Sequence, residues 1–283
     1  MSRKDARGNG ESDAEVLVSD CFERRRLMDA FLDGSLETSD IEEIAGVSSS
    51  TAHRIKNKLV GKGMVEESER GVYDLTRTGE AIAHELESFC GRVENIRKLR
   101  PVLESTRDRE VSFDPSLFDD GVITTASPTR PYESARRFMD IFRETDELRL
   151  VVVSTATPIF SEEKQRMIAE GKETEVVCPE SVVEVSIETV PHDIIDGLIE
   201  NLTLRVHDDL PFSVALFDDR VGVAGHADDG TIKVFADIGD DDAYAWGERV
   251  YERYREESVE MFERFDIKEV SEKFGFKPEE VLV

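Results

Sequence analysis

Apolar residues recur three and four positions apart through most of the first hundred positions, the period of a helix. The segment 19–34, SDCFERRRLMDAFLDG, reads as one helix with Phe22, Leu27, Ala30 and Phe31 along a stripe. Ser19 or Asp20 can cap its start, and Gly34 ends it. TSDIEEIAG predicts a short second helix, capped by Thr38 or Ser39, with Glu42 or Glu43 near capping-box spacing and Gly46 turning the chain. A third helix opens at Ser48 in VSSSTAHRIKNKLVGKG. Ile41, Ala45, Val47, Ala52, Ile55 and Leu59 are the inward positions of this pair. They form the apolar skeleton of a helix-turn-helix, in which two short helices cross closely. Glu42 departs from that pattern, since a small residue commonly faces the partner helix there. Met64–Glu67 and Val72–Leu75 then read as strands around a turn at Ser68–Gly71, with Arg70 at the tip of the hairpin, the place of a wing.

From Gly79 to Leu103 the pattern predicts a long helix. Ile82, Leu86, Phe89, Val93, Ile96, Leu99 and Leu103 alternate spacings of three and four and make a narrow seam. The seam either packs on its own chain or pairs two subunits. A protein with one reading helix per chain commonly dimerises to read two half-sites, so a homodimer is expected. Residues 104–120 are polar and turn-rich. Beyond them strands and helices alternate: strand 122–126, helix 131–144, strand 148–154, helix 158–170, strand 174–178, and one or two helices in 181–200. Strands follow in LTLRVHD, FSVALFDD, RVGVAGHADDG and TIKVFADI, with hairpin turns at Asp218-Asp219 and Asp229-Gly230. A final helix over 241–265 carries Trp246, Val250, Tyr254, Val259 and Phe262. The expected fold is α+β or α/β: a polar tail (1–13), a winged helix-turn-helix (14–80), a linker or dimerisation helix (81–109) and a C-terminal α/β domain (110–283).

Charge sharpens this picture. The 283 residues carry a formal net charge of −27, from 63 acids against 36 bases, of which 25 are Arg and 11 Lys. Such a surplus of acid with scarce Lys resembles proteins of salt-accumulating halophilic archaea. Strong salt shortens the Debye length to about 3 Å at 1 M and screens the self-repulsion. The charge is uneven: residues 1–109 sum to −4 and residues 110–283 to −23. Ser48–Gly63 holds four bases and no acid. The outward face of the third helix is Ser48, Ser49, Ser50, His53, Arg54 and Asn57, with Lys56 and Lys58 at its flanks. A helix entering the major groove of double-stranded DNA needs this combination of base-edge hydrogen bonders and phosphate-neutralising bases, and Arg70 would reach a phosphate from the wing. A winged helix can also serve protein contacts alone, so an adaptor without specific DNA binding is the alternative.

Little else suggests chemistry. There is no GxGxxG, P-loop, GxSxG or HExxH. Folds of this general kind include phospholipase-D-like enzymes, which need His-x-Lys, and none of the five histidines is followed two residues later by Lys. No enzyme activity and no cofactor are expected. His207-Asp208-Asp209 and His226-Ala227-Asp228 read as solvated loop groups rather than a metal site. Cys21, Cys90 and Cys178 are scattered, without a CxxC pair, which fits a reducing, cytoplasmic setting. No run approaches the ~18 apolar residues of a membrane span, so no membrane association is expected. A small-molecule effector would favour the carboxyl ends of buried strands. There, Ser154-Thr155-Ala156-Thr157 offers hydroxyls and helix-opening N–H groups, with Thr155 and Thr157 as candidate ligand-binding residues. The other reading of Thr157 is an ordinary cap ahead of Pro158.

Two resemblances bear on these expectations. GKGMVEE…GVYDLTRTGE resembles the helix-to-wing passage of many bacterial and archaeal regulators. AWGERVYERYREES, after VALFDDRVGVAGHADDG and VVVSTATPIF, resembles the archaeal regulators whose middle domain is named for the FilR methanogenesis regulator, and more distantly the sensor half of the TrmB sugar-responsive regulators. The resemblance implies an archaeal transcription regulator with a C-terminal sensor domain, and carries no ligand-binding residue across.

Overall fold

The computed structural model describes residues 13–107, 109–154 and 160–265. The polar tail expected over 1–13 lies outside them except for its last residue, which opens a helix. The chain divides into two compact units at Val93/Glu94.

In the first unit, α1 (Asp13–Glu23) and α2 (Arg25–Asp33) replace the single helix expected from 19 to 34. The turn at Arg24 lies between them. Ser19 and Asp20 therefore sit inside α1 and cap nothing. The frame shifts with them: Cys21 is fully buried and Phe22 is 53% exposed. Strand β1 (Leu36–Glu37) leads into α3 (Thr38–Ala45). The cap is Glu37, not Thr38 or Ser39: its side chain accepts from the Asp40 backbone, and its own N–H donates to the Asp40 carboxylate at 2.7 Å. Gly46 then takes a left-handed φ of 62°, where a side chain would be strained. The Gly46 and Val47 N–H groups close the helix on the Glu43 and Glu42 carbonyls. Helix α4 (Ser49–Gly61) buries Ala52, Ile55 and Leu59 against Ile41 and the α2 residues Leu27, Met28 and Phe31. The hairpin β2 (Val65–Glu69) and β3 (Val72–Leu75) completes a three-stranded antiparallel sheet in the order β1-β3-β2. Its turn is the two residues Arg70-Gly71, shorter than expected, because an irregularity between Glu67 and Glu69 lengthens β2. This is a helix-turn-helix with a hairpin wing.

Helix α5 (Arg77–Lys98) starts where Gly79 lets the backbones touch: a Cβ there would stand 1.9 Å from the Met64 carbonyl oxygen. The helix does not run to Leu103. It gives way at Leu99 to α6 (Arg100–Ser105), because Pro101 has no N–H to continue the ladder and crowds the preceding turn. The expected seam is thus split. Ile82 and Leu86 belong to the core of the first unit, and Leu99 and Leu103 to that of the second. Only Phe89, Val93 and Ile96 remain exposed. The second unit accordingly begins before residue 110.

That unit is built on one eight-stranded mixed sheet in the order β11-β7-β6-β5-β8-β9-β10-β4. The strands are β4 (Val122–Thr125), β5 (Glu147–Val151), β6 (Glu173–Cys178), β7 (Leu202–Val206), β8 (Ser213–Leu216), β9 (Val221–His226), β10 (Ile232–Ile238) and β11 (Val259–Glu260). β5, β6 and β7 run parallel through helical crossovers, and the remaining pairs are antiparallel. The hairpin turns fall at Asp218-Asp219 and Asp229-Gly230.

The period of two along the strands sends alternate side chains to opposite faces. Val151, Val214, Leu216, Val221, Val223, Val234 and Ala236 meet α6, the 115–118 turn and α11 (Asp241–Glu257), with Trp246 among Phe113, Phe118 and Phe212. Leu148, Ala215, Phe217, Ala224 and Phe235 meet α7 (Glu133–Glu144), α8 (Ser161–Ala169) and α10 (Ile195–Asn201). A further helix, α9 (Glu180–Thr189), packs Val182 and Val183 near Val206. The buried Asp237 carboxylate is held by Arg137 through two bonds of 2.7 and 2.8 Å and by Arg220 at 2.5 Å, which satisfies a charge that burial would otherwise penalise.

The last helix stops at Glu257 rather than at 265. Ser258 is extended, and Val259-Glu260 pair with β7 ahead of the short α12 (Met261–Arg264). No helix among the described residues is long and apolar enough to cross a membrane.

Candidate nucleic-acid interface and a second-unit cavity

Ser48, Ser49, Ser50, His53, Arg54, Asn57 and Lys58 are exposed and Lys56 is half-buried. Ser48 stands at the helix start, but its hydroxyl makes no capping bond. It lies 3.1 Å from both the Ser50 and the Thr51 hydroxyls, a polar cluster at the leading end of the helix. His53, Arg54 and Asn57 engage no partner among the described residues.

The lysines behave differently. Lys56 bends back onto the sheet, with Nζ 3.1 Å from the Tyr73 hydroxyl and 4.8 Å from the ring centre. Lys58 donates to the Asp20 carboxylate at 2.6 Å, and Lys62 donates to its other oxygen. These two ammonium groups hold the Asp20 carboxyl down at about 2. Arg24 shares the same carboxylate at 3.4 Å. Of the flanking bases expected to neutralise phosphate, one is braced on Tyr73 and one is engaged by an acid of α1.

The wing is acidic. Arg70 is exposed at its tip, but Glu66, Glu67 and Glu69 are exposed on the adjoining strand. Glu67 is occupied in fastening the turn: it accepts the Gly71 N–H at 2.8 Å, and Gly71 has a φ of 83°.

Arg24, Arg25 and Arg26 were not among the expected DNA-binding residues. The start of α2 brings them to a groove of about 720 Å³ shared with Thr51, Arg54 and Lys58 of α4. The signal was present as the run ERRRL, but its proximity to α4 depends on how the helices cross. The groove therefore brings Arg26 and Arg54 to one surface, while Arg24, Arg25 and Lys58 on it are paired with Asp20, Glu23 and Asp29.

In the second unit, Thr155 and Thr157 lie outside the described residues. Beside Ser154 is a cavity of about 60 Å³ between β5, β8, β9, β10 and the helices α7 and α8. Its walls are apolar, with Phe138, Leu150, Ala224 and Phe235 among them. Lys164, His226, Ser154 and Ser213 are its polar groups. Burial pushes Lys164 downward and His226 down to about 4, so the imidazole is neutral near pH 7. Among the described residues no group of three or more His, Cys, Asp or Glu side chains could hold a metal ion. Asp208 and Asp209 are instead engaged with the Glu180 N–H and with Arg109.

Among solved structures, TrmBL2, an archaeal chromatin protein, is 14% identical over 85% of this chain and 93% of its own, with a TM-score of 0.39. NucT from Helicobacter pylori is 9% identical over 50% of this chain and 98% of its own, TM-score 0.39. Nuc from Salmonella typhimurium, a phospholipase D family member, is 13% identical over 50% and 97%, TM-score 0.36. No curated protein matches the chain. Residues 12–98, which contain α4 and the wing, match the family described as the HVO_A0261 N-terminal domain. Residues 131–257, which contain the cavity, match the family described as methanogenesis regulatory protein FilR1, middle domain.

Proposed function

We propose that this chain is a DNA-binding transcription regulator in which α4 enters the major groove and the second unit senses a small molecule. One observation carries the reading: in a chain of net charge −27, the exposed face of α4 has no acid and carries Arg54, without a partner among the described residues, beside Asn57. Arg matches guanine and Asn matches adenine by paired hydrogen bonds, and the Ser48–Ser50 hydroxyls suit the adjoining phosphates. The match of residues 131–257 to the FilR1 middle domain supports a regulatory second unit. Two such reading helices require a homodimer, for which the exposed Phe89, Val93 and Ile96 supply an apolar strip.

The test is fluorescence anisotropy with the chain's own promoter DNA. Arg54→Ala with Asn57→Ala should remove roughly 1–3 kcal/mol of discrimination for each base that is no longer read. Undiminished specific affinity in this double variant would overturn the role of α4. The acidic wing favours a second reading, an adaptor that uses the winged helix for protein contacts. On that reading no DNA sequence is preferred, and wild-type binding shows only non-specific affinity.

A further inference from the structure

We infer that the cavity beside Ser154 is a binding site for a short-chain organic carboxylate, with Lys164 pairing its carboxylate and the apolar wall holding its tail. The inference rests on the sensing role proposed above and names the ligand class. Lys164 projects from α8 to a cavity whose described lining contains no acid. It has no hydrogen-bond or ion-pair partner among the described residues, although the chain has 63 acids. Arg143 and Arg166, on the neighbouring helix and on α8 itself, are each paired with two carboxylates. Lys164 is half-buried; an ammonium group partly withdrawn from water without a counter-charge is penalised, and burial here favours its neutral form. A carboxylate brought in by a ligand would supply the missing counter-charge in a low-dielectric setting, where such a bond is strongest.

The other polar groups fit the same ligand. Ser213 Oγ accepts the Val153 N–H at 3.2 Å, so its own proton is free to point into the cavity. His226 is held neutral and can donate one N–H without adding charge. Size sets the rest. About 60 Å³ holds roughly two waters, less than half of what an engineered benzene-binding cavity offers, which limits the ligand to the smallest carboxylates, of about two or three carbons. An apolar rear wall of Phe138, Ala224 and Phe235 favours an alkyl tail over a hydroxylated one.

Isothermal titration calorimetry on the full chain at fixed KCl, with propionate and with the isosteric neutral propionamide, tests this. Propionate should bind saturably at one site per chain, and propionamide at least about tenfold more weakly, the size of one charge-assisted bond. Lys164→Met keeps the length and apolar character of the side chain and should weaken propionate binding by a similar factor. The propionate–propionamide comparison is made on the wild-type chain, so it stands even where that variant fails to fold. Equal affinity for acid and amide, or no saturable binding of acetate or propionate, overturns the inference. Promoter affinity measured with and without saturating propionate separates the two claims. Saturable, Lys164-dependent binding that leaves DNA affinity unchanged supports the site and refutes its coupling to DNA.

Discussion

Asp20 is the residue through which the basic end of α4 can be released. Its carboxylate is largely buried and takes hydrogen bonds from Lys58 and Lys62, two bases that the proposed DNA contact could otherwise use. Asp20→Asn keeps the shape and removes the charge. Two effects oppose each other. The first unit loses part of two charge-assisted bonds and a longer third contact from Arg24 at 3.4 Å; since these cations are partly exposed, the cost is about 1–2 kcal/mol rather than the larger value of a dry pair. DNA binding gains two candidate phosphate partners. Each phosphate neutralised adds about 0.9 to the slope of log affinity against log salt, worth roughly eightfold at 0.1 M and nothing at 1 M. The expected result is promoter affinity raised several-fold at 0.1 M KCl, little changed at 1 M, with a slope steeper by about 1–2. Anisotropy titrations across that range, on protein shown to be folded by circular dichroism, measure it. A folded variant whose salt slope equals that of the wild type refutes the argument that Asp20 withholds these lysines from DNA.

Two further outcomes follow from particular residues. Phe89→Asp with Ile96→Asp should leave the fold intact and convert a dimer into monomers by light scattering, because both positions are exposed; an unchanged mass rejects the α5 strip as the interface. His226 has its protonated form disfavoured on folding, so the stability it contributes is full above the ordinary histidine value of about 6.5. That contribution is lost as pH falls toward its folded value of about 4. Urea unfolding between those pH values should show declining stability in wild type and a flatter profile in His226→Leu, and identical profiles would mean that His226 is not buried as described.

The helix-turn-helix was legible because its information is local. Ile41, Ala52, Ile55 and Leu59 fix which sides of α3 and α4 face inward, and the left-handed glycine at 46 fixes the turn between them. The second-unit strands were legible for the same reason: alternation such as Val214-Ala215-Leu216-Phe217 states which side chains go to which face of the sheet. Local periodicity failed where a single residue interrupts it. The seam over 79–103 keeps its spacing through Pro101, yet the helix breaks at Leu99 and the seam's members are shared between two cores and solvent. The reading of 19–34 as one helix failed likewise, since the break at Arg24 sets Cys21 inward and turns Phe22 out.

The candidate sites were legible only as sets of residue types, and the reason is physical. A period tells which face of an element is buried, but not which long polar side chains converge once the faces meet. Lys58 reads from sequence as a free base flanking a recognition helix. Its fate is decided by Asp20, 38 residues earlier, which only the crossing of α1 and α4 brings within 2.6 Å. The second unit follows the same logic with the opposite result. The hydroxyl-rich run after β5 draws attention to Thr155 and Thr157, whereas the described cavity is defined by Lys164 on α8 and His226 at the end of β9. Both resemble surface charges in an acidic chain until α8 is laid on the sheet. Lys58 meets the Asp20 carboxylate in the first unit, whereas Lys164 meets no acid among the described residues. That difference makes the first lysine part of the scaffold, and it is the ground on which the second is proposed to pair with a ligand.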